Sequence, residues 1–203
     1  MRVEHVEVLV EEPSTEVALR LLLPRILGNT SFQLYSHQGK NDLLQRLPAR
    51  LRGYAEWLPP RWCIVVVVDR DEEECKTLKT HLEKMAADAH LTTRTQTGGS
   101  PYHVVNRIAI EELEAWYFGD WEAVRAAYPR VPPTIPSKAK YRNPDGIDRG
   151  TWETFERILQ RAGYFRSGLR KLEAARTIAP YMDPARNRSR SFQVLREALA
   201  EMG

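Results

Sequence analysis

Apolar residues in the first 110 positions form strand-like and helix-like patterns that alternate along the chain. Val6, Val8 and Val10 recur at every second position, which predicts a strand over residues 3–11. The run "CIVVVV" (63–68) is continuous and largely β-branched, which is typical of a central strand in a parallel sheet covered by helices on both faces. "SFQLYSH" (31–37) and "VVNRIAI" (104–110) predict two further strands.

Helical spacing separates these strands. A first helix is predicted to start near Ser14 or Thr15 and to end or kink near Pro24, and a second, interrupted by Pro48, to carry a leucine stripe. A third follows from Cys75, and "LTTRTQ" (91–96) is predicted as a short strand. The β-α-β-α-β-α-β order predicts an α/β fold with a mainly parallel sheet flanked by helices.

Beyond residue 120 the pattern changes to a helical extension. A helix is expected to run to about Tyr128, followed by a Pro- and Gly-rich loop over residues 129–150 that is either a lid or docking segment or disordered. Further helices are predicted from Thr151 to Gly163, near 168–179 and near 191–202. We therefore predict an α/β domain over residues 1–120, with a basic loop and helical extension over residues 121–203 packed on it.

Charge is unevenly spread between these two parts. Residues 1–120 hold 14 Lys and Arg against 18 Asp and Glu, and residues 121–203 hold 16 against 9. An acidic part beside a basic part suits a polyanionic ligand such as nucleic acid, although two ordinary solvated surfaces give the same counts.

Hydropathy and cysteine content suggest a location. No stretch is apolar enough to span a bilayer, and the first residues lack the order of a signal peptide. The two cysteines, Cys63 and Cys75, have no metal-type spacing and are expected to be reduced. We expect a cytoplasmic protein with no membrane partner.

Acidic residues follow three of the predicted strands. They are Glu11 after the first strand, Asp69 and Asp71 after the third, and Glu111, Glu112 and Glu114 after the last. Because the carboxyl ends of parallel strands meet at one edge of the sheet, these side chains are expected to lie close together. In extended chain, positions 69 and 71 point the same way, so both carboxylates can reach one ion. Mg²⁺, which takes oxygen ligands, would relieve their mutual repulsion.

Other roles are open for these acids. Glutamates 72–74 open a predicted helix, where acids face the positive end of the helix dipole. Taken alone, Glu11 and Glu12 are better explained as solvated acids at a strand end. The conjunction of acids at three strand ends is what favours a metal site.

Three motifs carry a family resemblance. "VLVEEPSTE", "VVVVDRDEEEC" and "IAIEELEAWYFGD", in this order, resemble the Toprim fold of topoisomerases, primases and overcoming-lysogenization-defect (OLD) nucleases. The whole chain resembles a bacterial family of small Toprim-like proteins of unknown function, often associated with a partner ATPase in defence loci. "HQGKNDLLQRLPARL", "NPDGI" and "ARNRSRSFQVLREAL" extend the likeness over nearly the full length.

The resemblance implies metal-dependent phosphodiester cleavage with Mg²⁺ or Mn²⁺. It places metal-binding and catalytic roles on Glu11, Asp69 and Asp71, with Glu114 as a further ligand and Asp120 as a weaker candidate. Glu12 stands where the Toprim pattern has glycine. The resemblance also implies an ATPase partner of the ABC or AAA type, through which any oligomer would form, and a DNA or tRNA-like RNA substrate.

The basic tail supplies candidate phosphate ligands. Arg186, Arg188 and Arg190 alternate before a predicted helix start, where backbone N–H groups also attract phosphate, and Lys171 extends that surface. A solvated basic loop is the other interpretation.

Two other classes of protein fit parts of the pattern. A haloacid-dehalogenase-type phosphatase also has DxD after a buried strand, but that family has Thr or Val at the position of Glu73, and its later lysine motif is not evident. A non-catalytic subunit that binds an ATPase or nucleic acid through its basic helices is the second. No tyrosine stands in a context that marks a topoisomerase nucleophile.

Overall fold

A parallel sheet forms the centre of the computed structural model, which describes residues 3–70, 74–98, 101–109, 112–147 and 150–203. Within these ranges the strands are β1 (His5–Val10), β2 (Ser31–Ser36), β3 (Trp62–Asp69) and β4 (Val104–Ala109). They pair in the order β2-β1-β3-β4, and every pairing is parallel. The predicted α/β fold is confirmed.

Helices connect and follow the strands. The α-helices of the described ranges are α1 (Pro13–Leu27), α2 (Lys40–Trp57), α3 (Cys75–Asp88), α4 (Arg94–Thr97), α5 (Leu113–Gly119), α6 (Trp121–Ala127), α7 (Thr151–Arg161), α8 (Lys171–Ile178) and α9 (Arg190–Ala200). Short 3₁₀ turns lie at Ile135–Ser137, Ala139–Tyr141, Pro144–Gly146 and Ala179–Tyr181. Among the described helices, none has the length and apolar character needed to cross a bilayer.

The valine run of β3 is buried on both faces because helices cover both sides of the sheet. Val65 and Val67 belong to one apolar cluster, which includes residues of α1 and of α5 to α9. Val66 and Val68 belong to a second cluster, formed with α2 and α3. Alternate side chains therefore enter different cores, which is why the run contains no polar position.

The larger of the two cores joins residues from before and after position 120. Trp116 lies 5.2 Å from Phe192 and Phe118 lies 5.8 Å from Phe155, measured between ring centroids. Both pairs have edge-to-face geometry, which adds to the stabilisation from burial. The helical extension thus packs directly on α5, the helix that follows the last strand.

The segment "LTTRTQ" is not a strand, so that prediction was wrong. Thr93 forms an isolated bridge with Val104, and the chain then turns into α4. The Thr93 side chain accepts from the Gln96 backbone N–H, while Gln96 caps Thr93 in return. This reciprocal cap satisfies the first backbone donors of a helix, and here it prevails over the strand propensity of the threonines.

Neither proline ends its helix. Pro24 lies inside α1, which continues to Leu27, and Pro48 lies inside α2, which continues to Trp57. A proline within a helix costs about 3 kcal/mol. The fully buried leucines on both sides, such as Leu23 and Leu47, offset that cost by anchoring each helix to the sheet.

Substitution of two adjacent leucines in α1 tests this packing. Leu22 is fully buried and Leu21 is 40% exposed. We expect Leu22→Ala to lower the free energy of unfolding by about 2–5 kcal/mol, because it leaves a cavity under the sheet. Leu21→Ala, the matched control, should lower it by less than about 1 kcal/mol. Urea denaturation measures both, and equal losses would contradict the placement of α1.

Candidate active site

The candidate active site lies where the connections of the sheet diverge. The chain leaves β1 toward β2 on one side and leaves β3 toward β4 on the other, so β1 and β3 are neighbours with opposite onward directions. In open α/β sheets, ligands bind beyond the carboxyl ends of the strands at such a switch point. Glu11 follows β1 directly, and Asp69 is the last residue of β3.

Glu11 and Asp69 are in direct contact. The backbone N–H of Asp69 donates to Glu11 Oε2 at 3.0 Å. Both residues are buried, with 7% of Glu11 and 5% of Asp69 exposed. Two acidic residues therefore share one desolvated site, as their positions at adjacent strand ends predict.

Glu114 reaches the same site from the first turn of α5. It is 1% exposed, and neither of its carboxylate oxygens has a hydrogen-bond partner in the described part of the structure. A buried carboxylate without a partner carries a large desolvation cost, which a bound cation would offset. Glu112, which precedes α5, has a φ of 74°, a left-handed conformation that is uncommon for non-glycine residues.

A lysine from the C-terminal extension completes the arrangement. Lys171, the first residue of α8, places its Nζ 3.6 Å from Glu12 Oε1 and 3.6 Å from Glu112 Oε1. Glu12 also accepts a hydrogen bond from Ser14 Oγ at 3.0 Å. We call Glu11, Glu12, Asp69, Glu112 and Glu114 the acidic cluster.

The pKa values of these groups reflect burial and mutual repulsion. Burial raises the pKa of Asp69 well above its ordinary value, and the negative charges of Glu11, Glu12, Glu112 and Glu114 raise it further. Burial raises the pKa of Glu114 to about 7, although Lys171 acts in the opposite direction.

The same carboxylates stabilise the charged form of Lys171. Burial alone would lower the pKa of Lys171, but the carboxylates of the acidic cluster, Glu114 foremost, raise it above its usual value. Lys171 is therefore a fixed positive charge beside the acids at neutral pH.

The donor chemistry of the acidic cluster fits a hard divalent cation. All its ligating atoms are carboxylate oxygens, and the unpartnered oxygens of buried Glu114 are available to an ion. In the ranges that the structure describes, however, no three His, Cys, Asp or Glu side chains form a ready metal-binding group. Asp71, predicted as a ligand beside Asp69, lies outside those ranges, as does Glu111.

Asp120 does not belong to the acidic cluster. Its carboxylate accepts two hydrogen bonds from the Arg186 guanidinium, at 2.8 and 3.0 Å. It also accepts the backbone N–H of Asp183 at 2.7 Å and caps α6 through Ala123 N–H at 3.4 Å. These partners occupy both oxygens, so the suggested metal-ligand role of Asp120 gives way to a structural one.

Arg186 is committed to the same ion pair. It was predicted as a phosphate ligand, yet its guanidinium binds buried Asp120 and the Tyr181 carbonyl oxygen. The alternating arginines thus differ in their surroundings, since Arg188 is exposed and the side chain of Arg190 lies 3.4 Å from Glu197. A binding role for Arg188 and Arg190 stays a prediction.

The start of α9 holds a carboxylate of the protein itself. Asp145 Oδ2 accepts the backbone N–H groups of Arg190 at 2.5 Å and Ser191 at 3.2 Å. Its Oδ1 accepts from the hydroxyls of Ser189 at 2.8 Å and Ser191 at 2.7 Å. The "NPDGI" motif therefore caps a helix 45 residues away along the chain, in the position where sequence reasoning placed a phosphate.

Buried carboxylates at the switch point of a parallel sheet, with a lysine beside two further, half-buried glutamates, define an α/β protein with a candidate cation-dependent site. The chain belongs to the family described as a domain of unknown function, DUF4276, whose model matches residues 10–200.

Comparison with solved structures finds the C-terminal region of the OLD protein of Xanthomonas campestris pv. campestris. The two share 18% sequence identity with a TM-score of 0.44, over 98% of this chain and 95% of that one. No curated protein matches the sequence.

The raised pKa of Glu114 leads to a prediction about stability and pH. Because the pKa is about 7 in the folded chain and near 4.5 in the unfolded chain, folding favours the protonated acid, and stability is lost as pH rises through about 7. Glu114→Gln imitates the protonated form. We expect the free energy of unfolding of Glu114→Gln to rise by about 1–3 kcal/mol relative to that of the wild type when the pH is raised from 5 to 8.

Urea denaturation at the two pH values, without divalent cations, measures this gain. Glu56→Gln on exposed α2 surface is the control and should follow the wild type at both pH values. If the free energies of unfolding of Glu114→Gln and wild type changed equally between the two pH values, Glu114 would not be desolvated as described.

The two neighbouring arginines offer a second prediction. Arg186→Ala leaves the Asp120 carboxylate buried without its cation, so we expect a loss of about 1–3 kcal/mol in the free energy of unfolding. This is below the usual cost of breaking a buried pair, because the Arg186 side chain is 39% exposed. Arg188→Ala removes the same charge from an exposed side chain and should cost less than about 0.5 kcal/mol. Denaturation curves at pH 7 compare the two, and equal losses would contradict the assignment of Arg186 to structure.

Proposed function

We propose that this chain is a Mg²⁺- or Mn²⁺-dependent nuclease that hydrolyses phosphodiester bonds in DNA or in RNA of the tRNA type. We further propose that it acts as the effector subunit of an antiviral defence system whose ATPase partner controls it. The observation that carries the proposal is the fully buried Glu114, whose oxygens lack hydrogen-bond partners in the described residues, beside Glu11 and Asp69.

The charge of the site supports cation binding. Five carboxylates form the acidic cluster, and the four that surround Asp69 all raise its pKa. Lys171 contacts Glu12 and Glu112 and leaves Glu114 without a hydrogen bond. Divalent ions would compensate for this excess of negative charge in a desolvated site, as they do in many carboxylate-lined enzyme centres.

Glu11, Asp69 and Glu114 would hold the metal, together with Asp71. When bound, the metal would polarise the phosphoryl oxygen and lower the pKa of a water molecule, which are the two requirements of hydrolytic cleavage. Glu11 and Asp69 lie at the ends of adjacent strands and Glu114 in the first turn of α5, so these three ligands are held by regular elements rather than by a flexible loop.

The surrounding residues would position the ligands and supply charge. Glu11 accepts the Asp69 backbone N–H, which fixes the orientation of one carboxylate relative to the next strand. Lys171, positively charged at neutral pH, would oppose the negative charge that develops on the phosphoryl oxygens.

Sequence resemblance supports the remaining parts of the proposal. The three acidic motifs resemble those of Toprim enzymes, which include nucleases, and they stand at the strand ends where such enzymes carry their metal ligands. The ATPase partner and the defence role rest on the resemblance alone. The basic charge of residues 121–203 is the feature that favours nucleic acid as the substrate.

A non-catalytic regulatory subunit is the second candidate. The observation that favours it is the ion pairing of Lys171 with Glu12 and Glu112, which compensates part of the acidic charge without a metal. In that case the chain would bind its ATPase or nucleic acid, and the acidic cluster would have no role in cleavage.

Cleavage assays separate the two candidates. We expect the chain, together with the ATPase encoded beside it, to cleave labelled DNA or tRNA in the presence of Mg²⁺ or Mn²⁺ and to lose this activity in EDTA. Asp69→Asn and Glu114→Gln should lower the rate by at least about 100-fold, since each removes a charged ligand of the reacting centre. Glu56→Gln, an exposed substitution, should leave the rate unchanged.

A binding measurement makes the outcome independent of activity. Calorimetric titration with Mn²⁺ should detect binding in the wild type and much weaker binding in Asp69→Asn. Undiminished cleavage by Asp69→Asn would refute the metal-site assignment. Mn²⁺ binding without cleavage on any tested nucleic acid would favour the regulatory role.

A further inference from the structure

A basic pocket lies beside the C-terminal part of α7 and contains no residue of the acidic cluster. It has a volume of about 350 Å³ and lies between α7 and the 3₁₀ turns of the proline-rich segment 129–150. Tyr141, Ile147 and Thr154 line it, and all three are buried to more than nine-tenths of their surface. The proline-rich segment thus forms one wall of a defined cavity.

The walls of this pocket are held by packing. The Tyr141 ring stacks on Phe118 with 5.6 Å between centroids, which ties the segment to the core beneath α5. Thr154 Oγ1 accepts a hydrogen bond from Arg157 Nη2 at 2.8 Å, which orients that guanidinium at the pocket. The basic side chains around the pocket are exposed, whereas its buried floor is fixed by this packing.

Three cations surround the pocket: Lys140, Arg157 and Arg161. In the described ranges none of them forms an ion pair, and no carboxylate is among the lining residues there. Lys140 Nζ instead lies 4.8 Å from the centre of the Tyr141 ring. Among the described residues these cations have no counter-ion around a polar cavity, an arrangement that suits an anionic ligand, and arginine forks match the geometry of phosphate oxygens.

The helix α7 connects this pocket to the acidic cluster. Its second residue, Trp152, has its ring 5.7 Å from Nζ of Lys171. At a rise of about 1.5 Å per residue, Arg157 and Arg161 follow Trp152 by roughly 7 and 14 Å along the axis. Because successive residues turn by about 100°, Arg157 and Arg161 project from α7 about 140° and 180° around the axis from Trp152.

We propose that the pocket formed by Lys140, Thr154, Arg157 and Arg161 binds a backbone phosphate of the nucleic-acid substrate, outside the acidic cluster that holds the reacting bond. This inference rests on the proposed function for the identity of the ligand. It assigns affinity to the pocket and leaves the chemistry to the acidic cluster, so the two can fail separately.

Binding of a fluorescent single-stranded oligonucleotide in EDTA tests the proposal. We expect Arg157→Ala combined with Arg161→Ala to weaken binding by about tenfold or more at 100 mM salt. The slope of log Kd against log salt should fall by about 1 in magnitude, because contacts with phosphate are lost. Inorganic pyrophosphate should compete with the oligonucleotide on the wild type and much less on the variant.

The matched control is Arg52→Ala combined with Lys84→Ala. It removes the same net charge from exposed positions on α2 and α3, across the sheet from α7. Its binding and salt slope should stay close to those of the wild type. Circular dichroism and the urea midpoint should show that both double variants fold.

The outcomes are distinct. Unchanged affinity in the α7 variant, or an equal loss in the control, would overturn the pocket assignment. Binding would then depend on the overall charge of the protein and not on this pocket. Pocket-dependent binding without cleavage by any metal-loaded complex would support the pocket while the proposed nuclease activity fails. Cleavage with the same KM in wild type and the α7 variant would leave the nuclease standing and refute the pocket.

Discussion

The site depends on the hydrogen bond that the Asp69 backbone N–H donates to the Glu11 carboxylate. It joins the ends of β1 and β3, the two strands between which the sheet changes direction. Because both strands are central and covered by helices, the acids at their ends are buried, and they lie at the carboxyl edge of the sheet where ligands bind in such folds. The raised pKa of Asp69 follows from this placement.

The C-terminal extension contributes to the site rather than only covering it. Lys171 reaches the acidic cluster from α8, and Trp152 approaches the same lysine from α7. The aromatic packing of α5 against α7 and α9 fixes these helices relative to the strand ends. Residues before and after position 120 therefore meet in one core and at one site.

Arginines that look equivalent in sequence differ in the structure because of their partners. Arg186 pairs with buried Asp120, whereas Arg188 is exposed two residues later. Likewise, Asp145 occupies the backbone donors at the start of α9, which were expected to attract a phosphate. In both cases the partner comes from a distant part of the chain, so neither spacing nor composition contains the information. Lys140 likewise comes beside Arg157 and Arg161 of α7 only in the folded chain, because it lies on the segment that precedes that helix.

The sequence by itself determined the parallel sheet and the acids at its edge. The unbroken valine run before Asp69 requires burial on both faces of the sheet, and the acids follow directly where such strands end. Both properties can be predicted because they depend on the local pattern of residues along the chain. Only the tertiary structure decided that Glu114 lacks a hydrogen-bond partner in the described ranges, that Lys171 lies among carboxylates, and that Thr93 caps a helix. Burial and pairing of charges depend on which distant segments meet, and strand order and core packing decide that only when the chain folds.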